Sequence, residues 1–225
     1  MGTIKGLTAF LKPYVSEHKQ ALIDSVLDKR TRYLTVVLEN IYHAHNASAV
    51  VRSCDCFGIQ DVHVIEGHNE YKVNPYVVRG ATKWMSINKY PKIETNESCY
   101  AQLKEKGYRL IGTTPDRSYP VLNNISIDDK VAIVFGTEET GLSEYAKEQM
   151  DDFVHIPMYG FTESLNISVS AAICLYDANE KIRSNQVNWQ LSEDEKDTLR
   201  LEWYRKIIAR SDVLEREYLR TIDTI

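Results

Sequence analysis

The sequence predicts an α/β fold with a mainly parallel sheet flanked by helices. Three observations predict it. Strand-like and helix-like stretches alternate from residue 33 to residue 183. The strand-like stretches are short, nearly continuous apolar runs, as in strands buried on both faces. Small and polar residues collect in the loops that follow those strands, where such sheets hold ligands.

The elements follow in order. Residues 1–30 are helical, with Leu22, Ile23, Val26 and Leu27 as an apolar stripe edged by Lys19, Lys29, Arg30 and Arg32. YLTVVLE (33–39) is a strand. Residues 47–57 are a helix, because Ala47, Val50, Val51, Cys54 and Phe57 share one face and Gly58 is a natural stop. VHVIE (62–66) is a strand, Trp84–Tyr90 a weaker one, and Ser98–Lys106 a short helix ended by Gly107. Strands are expected at 108–114, 130–136 and 152–158, with a short helix after Gly141 and a long one from Asn166 to about Arg183. The segment from Ser192 opens with a capping box, Ser192 and Glu195, and Leu199, Trp203, Ile207 and Ile208 recur at helical spacing. The expected organisation is an N-terminal helical extension (1–30), an α/β domain (31–183) and a C-terminal helical extension (184–225).

At 225 residues the chain is one domain, or one domain with helical ends. The net charge of −5 argues against RNA or DNA binding through bulk charge, while leaving room for a local basic face. No apolar run reaches membrane-spanning length and no export signal is visible, so a cytoplasmic protein is expected. Cys54, Cys56, Cys99 and Cys174 are then reduced thiols, and Cys54 and Cys56, two apart on a helix, point apart rather than toward a shared metal.

Four stretches carry possible chemistry. GTEETGLS (136–143) has the glycine spacing of a phosphate loop, but Leu142 stands where the lysine belongs, so nucleotide triphosphate hydrolysis is not expected. Gly136 and Gly141 could be turn formers; with Glu138 beside them, a functional loop is favoured. HNASAVVRS (45–53) puts Asn46 at an expected helix N-cap and Arg52 off the apolar face, where an arginine is ordinarily a solvated charge. Residues 71–93 hold Lys72, Arg79, Lys83, Lys89 and Lys92 with no acid, interleaved with Tyr71, Tyr76, Trp84 and Tyr90. Two readings stand equally: a surface that grips phosphates and stacks bases, or core aromatics with solvated lysines. In IPMYGFTESLNIS (156–168), Ser164 or Asn166 caps the next helix, which leaves Gly160, Thr162 and Glu163 unexplained.

Three of these stretches together resemble a known family. HNASAVVRSCDCFG, AIVFGTEETGLSEYA and IPMYGFTESLNISVSAAICLYD are similar to the three motifs of the SPOUT superfamily, specifically the TrmH-type tRNA (guanosine 2′-O)-methyltransferases of the SpoU family, and RGATKW resembles the segment between the first two. The likeness covers about residues 30–183. It departs at Ser53, where threonine is usual, at Glu139-Thr140, where a lysine often follows the glutamate, and at NEKIRS, a thin version of the usual basic cluster.

The resemblance implies a deep trefoil knot in the C-terminal part of the domain, S-adenosylmethionine as methyl donor, and a homodimer whose subunits complete each other's sites. By position, Thr113, Gly136, Ile156, Met158, Ser164 and Leu165 line the cofactor pocket. Arg52, Asn46, Glu138 and Asn166 are the catalytic set, without a metal, and Arg30, Arg32, Arg79 and Lys83 are the RNA-binding set. The implied substrate is tRNA, at guanosine 18 of the D-loop. The alternatives are 2′-O-methylation of ribosomal RNA and a non-catalytic RNA-binding protein of the same fold.

Overall fold

The computed structural model describes residues 4–67, 71–91 and 96–223. They form two compact units. One runs from Thr31 to Trp189; the other joins the residues up to Arg30 with those from Gln190 onward. The two flanking segments, expected as separate extensions, therefore make a single unit.

The larger unit holds six parallel strands: β1 (Leu34–Glu39), β2 (Asp61–Ile65), β3 (Ser86–Tyr90), β4 (Tyr108–Thr113), β5 (Lys130–Phe135) and β6 (Asp152–Val154). Their order across the sheet is β3-β2-β1-β5-β4-β6. Every residue of β1 is buried. Its side chains alternate between two cores, as the period of a strand requires. Val36 and Leu38 enter one core with Val131, Ile133 and Phe135 of β5; Val37 enters the other with Ala132 and Val134. Helices α3 (Ala44–Cys56) and α7 (Ile167–Ser184) cover the first face through Val50, Val51, Cys54, Ala171 and Leu175. Helices α5 (Asn96–Glu105) and α6 (Glu144–Gln149) cover the second through Cys99, Tyr100, Leu103 and Ala146.

Among the boundaries that differ from expectation, three have a local physical reason. Helix α3 begins at Ala44, with His43 as its N-cap, so Asn46 lies inside the first turn. The Asn46 amide is engaged by other loops, as described below, and is not spent on capping. Gly58, at φ 77°, does end that helix. Strand β6 stops at Val154, four residues short of the predicted end: His155 makes one bridge, to Val121, and Pro157 has no N–H to extend a ladder. Strand β3 starts at Ser86, because residues 81–83 close a 3-10 turn.

The smaller unit consists of α1 (Ile4–Leu11), α2 (Glu17–Leu27), α8 (Glu193–Ile207) and α9 (Ser211–Asp223). Helix α8 opens with the predicted capping box. It packs on α1 and α2, burying Leu199, Leu201, Trp203 and Tyr204, and Arg200 reaches Asp24 at 2.8 Å. Among the described residues no helix is long and apolar enough to cross a membrane.

Candidate active site

The order of the sheet reverses between β1 and β5, and in such sheets ligands bind beyond the carboxyl ends of the strands at the reversal. A cleft of about 760 Å³ lies there, within the usual range for small-molecule sites. It is bounded by the loops that leave β1, β4, β5 and β6.

The loop after β5 closes on itself. Thr137 and Gly141 exchange backbone hydrogen bonds of 3.0 and 3.1 Å, and Gly141 sits at φ 69°. A Cβ on Gly136 would lie 2.2 Å from the carbonyl carbon of Gly141, so only glycine permits this closure. Ser143 then caps α6 by accepting from Ala146 N–H at 3.1 Å. The loop is anchored by Glu39, the last residue of β1 and only 3 % exposed. Its carboxylate accepts from Ser143 N–H (3.1 Å), from Ser143 Oγ (2.6 Å) and from the Asn96 side chain. Sequence reasoning missed Glu39; an acid ending an otherwise apolar strand was the available signal.

Three of the four expected catalytic residues meet across this cleft. Asn46 Nδ2 donates to Glu138 Oε1 at 2.7 Å, and Asn166 Nδ2 donates to Asn46 Oδ1 at 3.2 Å. Asn166 also caps α7, its Oδ1 accepting from Ser168 N–H and Ser168 Oγ at 2.8 and 2.6 Å. The chain thus joins the loops after β1, β5 and β6 through one carboxylate and two amides. The fourth residue, Arg52, stands apart: it is exposed on α3, and its guanidinium lies 3.5 Å from the carbonyl of Val77.

All six expected cofactor residues, Thr113, Gly136, Ile156, Met158, Ser164 and Leu165, line the cleft. So do His43 and Glu163, which sequence reasoning did not assign. Thr113 Oγ1 donates to the carbonyl of Val134 at 3.0 Å, and Arg117 Nη2 holds the carbonyl of Met158 at 3.0 Å, tying the loop after β4 to the loop after β6. The lining fits S-adenosylmethionine in two respects. Ile156, Leu142, Leu165 and Met158 provide apolar walls for a flat base. Glu138, Glu139 and Glu163 outnumber Lys147, a balance that favours a cationic sulfonium.

The expected RNA-binding residues divide. Arg79 and Lys83 are exposed. Arg32 is paired with Asp61 at 2.9 Å. Arg30 is a correction: it is 2 % exposed, with its guanidinium 5.6 Å over the ring of Trp203, so it packs within the smaller unit instead of presenting a charge to solvent. In the basic stretch 71–93, Tyr71 and Tyr90 are buried, and Lys89 lies over Tyr71 and 3.7 Å from Glu66. Lys92 falls outside the described residues. Among the described residues no group of three or more histidines, cysteines or acids could hold a metal ion.

The model of the SpoU rRNA Methylase family matches residues 33–176. The chain belongs to this family. A tRNA (guanosine(18)-2′-O)-methyltransferase of Borreliella burgdorferi is 40 % identical over 205 residues, covering 91 % of this chain and 93 % of that protein. The enzyme of the same name from Thermus thermophilus is 31 % identical over 166 residues, 74 % of this chain and 84 % of that one. The crystal structure of an A. aeolicus TrmH/SpoU tRNA modifying enzyme superposes with a TM-score of 0.78 at 27 % identity, over 86 % of this chain and 98 % of that chain. The family likeness spans the whole larger unit apart from its margins, and so includes every loop of the cleft.

Proposed function

We propose that this family member methylates the ribose 2′-hydroxyl of guanosine 18 in the D-loop of tRNA, with S-adenosylmethionine as donor. The observation that carries this reading is the near full-length likeness to a relative of that activity, supported by a cleft in which Asn46, Glu138 and Asn166 are hydrogen-bonded together.

In this reading Ile156, Met158 and Leu165 hold the adenine, while Thr113, Gly136 and Ser164 meet polar edges, partly through backbone atoms. The bound cofactor supplies an electrophilic methyl carbon. Asn46, Glu138 and Asn166 keep three loops in register, so that the nucleotide is oriented before reaction and little reorganisation remains. Arg52 is given the role of a cation, because a guanidinium does not act as a base in proteins. It grips an RNA phosphate and stabilises charge developing on the ribose oxygen. Since Arg52 lies apart from the Asn46 network of its own chain, the reading pairs it with the cleft of a second subunit in a homodimer. The exposed apolar stripe Val169, Ile173 and Tyr176 on α7 supports such an interface. The reading also takes residues 31–183 as the catalytic domain, makes the loop 156–166 part of a deep trefoil knot, and puts the protein in the cytoplasm.

The test is transfer of labelled methyl from S-adenosylmethionine to an unmodified tRNA transcript, with the modified nucleotide mapped and Arg52→Ala as control. Label at guanosine 18, lost in the variant, is the expected result. Label on ribosomal RNA alone would move the substrate. Cofactor that fails to bind by calorimetry would remove the enzymatic reading.

A further inference from the structure

Of the four aromatic residues interleaved with the basic stretch, the structure singles out one. Tyr71 and Tyr90 belong to the cores, and Trp84 is half-buried beneath the ammonium of Lys83, 5.1 Å from its ring. Tyr76 is 90 % exposed. Hydrophobic burial therefore does not account for this ring, and no aromatic or hydrogen-bonding partner holds it among the described residues.

Its mounting is firm all the same. Tyr76 sits on a single helical turn, α4 (Pro75–Val78), with proline at its first position. Asn74 caps the turn by accepting from Tyr76 N–H at 3.1 Å, and Asn74 N–H donates to Ser48 Oγ of α3 at 2.8 Å. Val78, on the same turn, is buried. The ring is thus carried on a backbone fixed to α3, the helix that also carries Arg52. The guanidinium of Arg52 lies 3.5 Å from the carbonyl of Val77, the residue next to Tyr76. Three residues beyond Tyr76, Arg79 ends the turn at φ 45° and ψ 38°. That left-handed conformation is costly for an arginine and natural for glycine or asparagine. A strained residue kept where an easier one would serve points to a use for its side chain.

We propose that Tyr76 is the platform on which an unpaired base of the RNA substrate stacks, with the nearby Arg52 and Arg79 gripping the adjoining phosphates. This rests on the RNA-methylating reading above. The chemistry matches a splayed single-stranded loop: an exposed flat ring serves any base, and guanidinium groups close by meet the backbone that connects the bases. Residues 71–91 contain no acid to repel that backbone.

Affinity for an unmodified tRNA transcript, measured across a salt series without methyl donor, tests the proposal. Tyr76→Phe keeps the stack and is expected to bind within about twofold of wild type. Tyr76→Ala is expected to weaken binding about fivefold to a hundredfold at every salt concentration, leaving the slope of log affinity against log salt unchanged. Arg79→Gly is expected to lower that slope by about one while leaving the melting temperature no lower than wild type, since glycine relieves the left-handed backbone. Wild-type affinity in Tyr76→Ala, or equal losses in Tyr76→Phe and Tyr76→Ala, would overturn the stack. So would a Tyr76→Ala loss traced by sedimentation to a broken oligomer. Wild-type protein that neither binds nor methylates the transcript would instead overturn the RNA-methylating reading itself.

Discussion

His63 lies in the middle of β2, 3 % exposed, and offers a sharp test of how the core depends on protonation. Tyr90 donates to Gln102 at 3.3 Å, so its oxygen can accept from His63 Nδ1–H at 3.0 Å. Burial, helped by the charge of Lys106, lowers the imidazole from 6.5 to about 4. The folded protein therefore keeps His63 neutral where the unfolded chain would protonate it. Stability from this source is complete above pH 6.5 and is lost as the pH falls from there toward 4. At about 1.4 kcal/mol per pH unit the whole loss is roughly 3 kcal/mol, of which about 2 kcal/mol has gone by pH 5. With an m value of about 2 kcal/mol per molar urea, that loss moves the midpoint by about 1 M. Urea unfolding at pH 7.5 and pH 5 should show this drop in wild type and a much smaller one in His63→Asn, whatever the variant costs at pH 7.5. Equal drops in the two proteins would refute the assignment of the acid sensitivity to this histidine.

Four further outcomes are expected. Gly136→Ala cannot close the loop against Gly141 and should abolish S-adenosylmethionine binding by calorimetry while the sheet still folds, as circular dichroism would show. Asn46→Ala and Asn166→Ala should be non-additive in kcat by about 0.5–3 kcal/mol in a double-mutant cycle, because their side chains are directly bonded. Glu39→Ala strips the acceptor from Ser143 N–H and should cost about 1–3 kcal/mol in thermal unfolding. Arg52→Ala should leave S-adenosylmethionine binding within about twofold of wild type yet lower methyl transfer by about a hundredfold or more, a split that simultaneous loss of both would contradict.

Much of this arrangement was legible in the sequence, and the exceptions have physical reasons. Strands β1, β2, β4 and β5 announce themselves as apolar runs because both faces are covered. Strand β6 was over-extended because the apolar character of Ile156 and Met158 comes from the cleft wall, not from a ladder. Asn46 looked like a cap because its type suits one; only the approach of Glu138 and Asn166, distant in sequence, reveals what its amide does. Arg30 read as a surface cation because its partner, Trp203, lies far along the chain. The exposure of Tyr76 beside two buried tyrosines has no local signature at all, since the same residue types and spacing suit a core.

The smaller unit is built from both ends of the chain, and this has a consequence for how the larger one can be handled. The larger unit enters and leaves through the same folded body, and its own ends are also linked, Thr31 Oγ1 donating to the carbonyl of Trp189 at 2.6 Å. While that body stays folded it acts as a clasp, closing the intervening chain into a ring and reducing the conformations open to it when it unfolds. Trimming only one terminus opens the clasp and strips α8 of its partners α1 and α2, or the reverse. Truncations should therefore be made at both ends together, and single-end deletions should behave worse than their length suggests.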